Sequence, residues 1–133
     1  MRETRNRLLG LCLPPLLLCL LDGIVTLLGQ SPQYWAGNYE LTNEASPTFH
    51  HLLRTHPAAF VAGLVVWGAV FSGLILLLPD LLALMTSIAV TFGHTAGTAT
   101  WLLWRFQFGY QAFNLLMLLS AGLLAIGIHY GCL

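Results

Sequence analysis

The sequence predicts an all-α polytopic membrane protein, a four-transmembrane-helix bundle with a short amphipathic helix in the first outer loop. Three observations predict it. Of 133 residues, 57% are hydrophobic and only 8% charged, where a soluble domain carries about a quarter charged residues. Too little polar surface remains to face water, and mean hydropathy is +0.78. The apolar residues gather in four runs, each near the roughly 20 residues that cross a hydrocarbon core of about 30 Å. Aromatic residues cluster at the ends of two runs, as in interfacial belts. Length fits one domain, 1–133.

The first span covers 8–29 and follows Arg2, Arg5 and Arg7. Its apolar run exceeds the roughly 7–15 residues of a signal-peptide core, and no A-x-A site follows. Cys12 and Cys19 follow leucines, unlike a lipobox. The span is therefore read as uncleaved. Pro14 and Pro15 kink it, and neighbouring helices must satisfy the carbonyls they free. The second span, 58–78, holds no charge. Only Pro79-Asp80 separates it from the third, 81–104, so the two form a tight antiparallel hairpin. The fourth covers 112–133.

The N-terminal arginines place the N-terminus in the cytoplasm, and four spans return the C-terminus there. The first loop, Gln30 to Pro57, and the third, Arg105 to Gln111, then face outward. Tyr34, Trp35 and Tyr39 form one part of an outer aromatic belt; Trp101, Trp104, Phe106, Phe108 and Tyr110 form the other. In the first loop Ser46-Pro47 reads as an N-cap followed by a first-turn proline. Phe49, Leu52, Leu53 and His56 fall near one face of the short helix that follows, which lies on the outer surface and ends before Pro57.

Several function classes are excluded. Net charge is zero with no basic patch, against nucleic acid as a partner. The three cysteines, Cys12, Cys19 and Cys132, show no CxxC or Cys/His spacing and read as packing residues. There is no HExxH, no G-x-S-x-G and no phosphate-cradling glycine loop. His50, His51 and His56 read as solvated loop residues. No metal, cofactor or catalytic residue is assigned.

The polar residues inside the spans carry what information there is. A central Asp costs about 2.5–3.5 kcal/mol on insertion, so Asp22 needs a partner in the bundle interior. It lies roughly 10 Å below the outer boundary at 1.5 Å per residue. Thr26 sits one turn above it. On the third span Ser87, Thr91, His94, Thr98 and Trp101 recur at three- and four-residue steps and form one polar stripe. Gly93 and Gly97 form a GxxxG pair beside it, and Gly127 and Gly131 another on the last span. Both are helix-packing faces, the second available to a partner or a copy of the chain. Packing explains the glycines and threonines but not why a histidine is used. His94 lies about 15 Å below the outer boundary, close enough in depth for an Asp22–His94 contact if the first and third helices touch. The expected buried cluster is Asp22, Thr26, His94 and Thr98, with packing glue favoured somewhat over chemistry. Glu44 and Arg54 are expected to fold over the bundle mouth, and Asn114 to join the cluster from the fourth span. His129, near the inner end, pairs with Tyr130 at the interface.

Asp22-x-x-x-Thr26 in a first span, Asn43-Glu44 and Ser46-Pro47 in the loop after it, and Pro57-Ala58 at the next span resemble an uncharacterised family of small prokaryotic four-helix integral membrane proteins. The likeness covers about the first half of the chain. It departs at Ser46, where the relatives carry Asn before the proline. It implies a compact helical membrane protein, marks Asp22, Thr26, Glu44 and Pro47, and implies no activity. With the arginines it leans toward a bacterial inner membrane.

Three functions follow for testing. An accessory or assembly subunit of a membrane complex, bound to a membrane partner or to itself, ranks first. A small transporter or ion/proton-binding protein using the Asp-His-Thr cluster ranks second. An intramembrane or lipid-modifying enzyme ranks last, because an Asp–His pair without a nucleophile is thin evidence for catalysis.

Overall fold

The computed structural model describes residue 6 and residues 8–132, with the side chains of Leu8 and Cys132 set aside. The arginines that set the expected orientation lie outside the described residues. Helix α1 (Leu13–Leu28) continues a π-helical turn at Leu8–Cys12. The first loop holds a short α2 (Pro32–Trp35), a 3-10 turn (Tyr39–Leu41) and α3 (Pro47–Thr55). Helices α4 (Pro57–Leu77) and α5 (Asp80–Thr100) form the hairpin, α5 running on through a π-helical turn (Trp101–Arg105), and α6 (Gly109–Cys132) closes the chain. Among the described residues four helices are long and apolar enough to cross a membrane: Leu9–Leu28, Pro57–Leu77, Asp80–Arg105 and Gly109–Gly131. These match the predicted spans to within a few residues. The fourth starts three residues early because Gly109, at φ 76°, turns the chain there.

Prolines open α2, α3 and α4, where a missing N–H costs nothing. His56 Nδ1 accepts from the Ala58 N–H at 3.0 Å and caps α4. It therefore leaves the apolar face of α3 to which the sequence assigned it. Ser46 occupies the N-cap position of α3, but its side chain makes no cap bond. Instead its N–H donates to Glu44 Oε1 at 2.8 Å. The apolar side of α3 is turned onto the protein: Leu53 is fully buried with Tyr34 and Phe60, and Phe49 and Leu52 pack against them. The Tyr34 hydroxyl donates to the Leu53 carbonyl at 3.1 Å and ties α2 to α3.

Helices α1 and α5 pack together at the centre. Helices α4 and α6 each touch both of them, and among the described residues not each other. This order puts the polar stripe of α5 against α1, with Ser87, Thr91, His94 and Thr98 all buried. Near the hairpin, Leu11, Cys12, Cys19, Phe71, Ile75 and Ala83 form one core cluster. A second, Leu18, Ala99 and Leu116, sits between α1, α5 and α6.

The prolines of the first helix explain two contacts. Pro14 and Pro15 have no N–H, so the carbonyls four residues earlier, of Gly10 and Leu11, lose their helical donors. Ser87 Oγ donates to the Leu11 carbonyl at 2.6 Å. The Gly10 carbonyl lies against α6, where a Cβ on Gly127 would fall on it and 2.8 Å from Pro14 Cγ. A Cβ on Gly131 would sit 2.8 Å from Leu11 Cγ. The glycine face of α6, expected to be free for a partner, is thus taken up inside the chain, because the kinked first helix comes close enough to use it.

Candidate functional site

Asp22 sits on α1 two turns before its C-terminal end and faces α5. Small residues on α5 make room for it. A Cβ at Gly97 would stand 2.7 and 2.8 Å from the two carboxylate oxygens, so the carboxylate lies over the bare Cα of Gly97. The second glycine of GxxxG serves a polar side chain here. The first has no such neighbour: no described residue lies within 4 Å of where a Cβ on Gly93 would be. Gly93, expected to pack a helix, borders open space among the described residues of this chain.

One turn below Gly97, His94 Nδ1 lies 2.9 Å from Asp22 Oδ2. On the other side of the ring, Trp67 Nε1 of α4 lies 3.1 Å from His94 Nε2. An indole N–H only donates, so Nε2 must be the acceptor. In this arrangement Nδ1 carries a ring proton and donates it to Asp22. A proton on Nε2 would set two donors against each other. Trp67 and Phe71 meet edge to face at 5.7 Å and hold the indole in place. Three helices thus contribute one residue each to a Trp–His–Asp chain.

The chain forms part of the wall of a cavity of about 800 Å³. Asp22, Gly23 and Thr26 of α1 line one side, and Phe60, Leu64 and Trp67 of α4 another. The loop Asn43–Ser46 with Phe49 covers it, and Trp101, Trp104 and Arg105 form its rim. Ala89, Gly93, Ala96 and Thr100 line it from α5 and are themselves exposed, so it opens sideways along the α4–α5 face. The His94 side chain is 11% exposed and that of Asp22 21%. The carboxylate is therefore accessible, and the pair is not a sealed internal bond.

Gln30, only 4% exposed, holds the cover in place. Its Nε2 donates to the carbonyls of Thr26 and Asn43, both at 2.9 Å, and its Oε1 accepts from the Asn43 N–H at 2.8 Å. Glu44 beside it faces the cavity. Burial raises its carboxyl above the ordinary glutamate range; the Ser46 N–H opposes this and the Asp22 carboxylate adds to it. At the rim, Arg105 Nε donates to the Gly29 carbonyl at 2.7 Å, satisfying the end of α1.

The remaining expected residues divide clearly. Thr26 lines the cavity with Asp22 and His94. Thr98 does not: it is fully buried outside the cavity, and its Oγ1 has no hydrogen-bond partner among the described residues. Arg54 pairs with Glu40 on the surface of the loop, and Arg105 takes the place at the mouth that was expected of it. Asn114 is exposed on α6, which does not line the cavity. His129 meets Tyr130 edge to face at 5.1 Å. No group of three or more His, Cys, Asp or Glu suited to a metal occurs among the described residues. The sequence reading missed Trp67 and Gln30. The signal for Trp67 was an indole N–H in mid-span, which needs a partner when buried. Chemically, both ring nitrogens of His94 are already bonded, so the imidazole presents no free nitrogen to the cavity; the accessible side chain of the pair is Asp22. Comparison with protein-family models, curated proteins and solved structures gives no match.

Proposed function

We propose that this chain is an integral membrane binding protein, oriented with both termini in the cytoplasm, that takes an amphiphilic ligand from the outer leaflet into the cavity beside Asp22. The observation that carries this reading is that the Asp22–His94 pair borders a large, laterally open cavity. Glue alone needs no such space, and pockets of roughly 300–1,000 Å³ with a few convergent polar groups suit small ligands. The exposed α5 residues at the opening are small, which leaves a route from lipid past Ala89, Gly93 and Ala96. In this setting α3 lies at the membrane surface above the cavity, its apolar side on the bundle.

Two other readings have less support. Conduction through the chain is opposed by the closed apolar cluster of Leu11, Cys12, Cys19, Phe71, Ile75 and Ala83 toward the hairpin end. The accessory-subunit reading, which rests on small size, absent catalytic motifs and glycine faces, loses one of those supports, because this chain itself occupies the glycine face of α6.

Gly93→Leu is the discriminating variant, because Gly93 lines the cavity and no described residue comes within 4 Å of a Cβ there, so the longer side chain takes up cavity space. Native mass spectrometry of protein gently extracted from its own membrane is expected to show a bound lipid-sized adduct in the parent and none in Gly93→Leu. Identical spectra for the two would oppose the reading.

A further inference from the structure

The cavity has a chemical polarity that narrows its ligand. Two carboxyl side chains, Asp22 and Glu44, and one guanidinium, Arg105, face it. They are not mixed together. Arg105 is fixed at the end of α1 by its bond to the Gly29 carbonyl. Asp22 lies seven residues deeper, roughly 10 Å at helical rise. Beside Asp22 the nearest titratable side chain is His94, whose Nδ1 faces the carboxylate and whose Nε2 accepts from Trp67. Among the described residues that line the cavity, the deep end therefore has a carboxyl group with no lysine or arginine beside it, in a region where polar groups need partners. The walls there and above are aromatic: Trp67, Trp101, Trp104, Phe49 and Phe60. Aromatic faces with a carboxylate recognise ammonium groups. Arg105 at the rim disfavours a small cation arriving from water, whereas the opening along α4–α5 admits one carried on an apolar body.

Building on the proposed binding function, we infer that the cavity selects amphiphiles with an ammonium head, which sits against Asp22 between the aromatic walls while the apolar body leaves through the α4–α5 opening. The ammonium can belong to a simple long-chain amine or to a phospholipid headgroup, whose phosphate would meet Arg105.

The test uses the full chain in dodecyl maltoside micelles, which are neutral, and follows tryptophan fluorescence during titration, since three tryptophans line the cavity. The probes share one tail: dodecyltrimethylammonium, dodecylamine and dodecyl sulfate, with tetramethylammonium as the tailless cation. Short-chain diheptanoylphosphatidylcholine supplies the headgroup version. Both dodecyl cations are expected to saturate at concentrations at least tenfold below dodecyl sulfate, and tetramethylammonium to give no saturable change. Asp22→Asn is expected to shrink that preference about tenfold, and Gly93→Leu to abolish saturation for every probe. Saturation by phosphatidylcholine that weakens in Arg105→Gln identifies a membrane lipid as the source; saturation by the simple cations alone identifies a free amine. Equal binding of sulfate and ammonium heads, both lost in Gly93→Leu, overturns the ammonium inference and leaves the cavity reading standing. Saturation that survives Gly93→Leu overturns the cavity reading itself. Thermal unfolding of each variant verifies its fold, and if Asp22→Asn does not fold, the ranking of the probes on the parent chain decides.

Discussion

Gly93 and Gly97 offer a controlled comparison, because they lie one turn apart on α5 and differ only in what faces them. Replacing either with alanine removes a flexible residue from a helix interior, worth up to about 1 kcal/mol, and this gain cancels between the two variants. At Gly93 the new methyl meets nothing within 4 Å. At Gly97 it stands 2.7 Å from Asp22 Oδ1, where ordinary contact begins at 3.4 Å. The carboxylate must retreat by roughly 0.7 Å, which stretches or breaks its 2.9 Å bond to His94. Overpacking of this kind costs about 1–3 kcal/mol, so Gly97→Ala should be less stable than Gly93→Ala by that amount. Equilibrium unfolding in mixed micelles with increasing dodecyl sulfate reads the difference, and the imidazole ¹⁵N shifts of His94 read the bond. Equal stability of the two variants, with unchanged His94 shifts, would refute the placement of Asp22 over Gly97.

Three further outcomes are expected. Ser87→Ala strips the Leu11 carbonyl of its donor in a buried position, a loss of about 1–3 kcal/mol; adding Pro15→Ala restores an N–H one turn on and should soften it, as unfolding measurements will show. Trp67→Phe leaves His94 Nε2 without its donor, so the ¹⁵N spectrum, expected to show a single Nδ1–H tautomer in the parent, should become a mixture; a parent spectrum already mixed would count against the Trp67 bond. Glu44 holds its proton to higher pH in the folded chain than in the unfolded chain, because burial opposes its charge. Stability should therefore fall as pH rises from the ordinary glutamate range through the raised value, and Glu44→Gln should flatten that slope in thermal unfolding followed across pH.

Much of the helical architecture was legible in the sequence because its causes are local. The number of long helices and their approximate ends follow from apolar run length, from prolines at first turns and from the two-residue hairpin at Pro79-Asp80. The polar stripe of α5 follows from residue spacing, and the need for outside donors to the first helix follows from Pro14 and Pro15. Depth along a helix is also local arithmetic, which is why Asp22 and His94 were recognisable as residues at similar height.

Helix order around the bundle is not local, and it decided the rest. The α1–α5 core brings Asp22 to His94 and buries Thr98 outside the cavity, although His94 and Thr98 lie on the same stripe. The position of α4 beside that core delivers Trp67, which fixes the histidine tautomer and takes its second nitrogen. The approach of the kinked first helix to α6 turns Gly127 and Gly131 inward. The return of the loop through Gln30 sets Glu44, and not Arg54, above the cavity. Spacing in one helix specifies which side chains share a face and at what depth. Only the packing of three helices around a gap determines whether a buried carboxyl group is sealed between helices or left open to a cavity, and here it is left open.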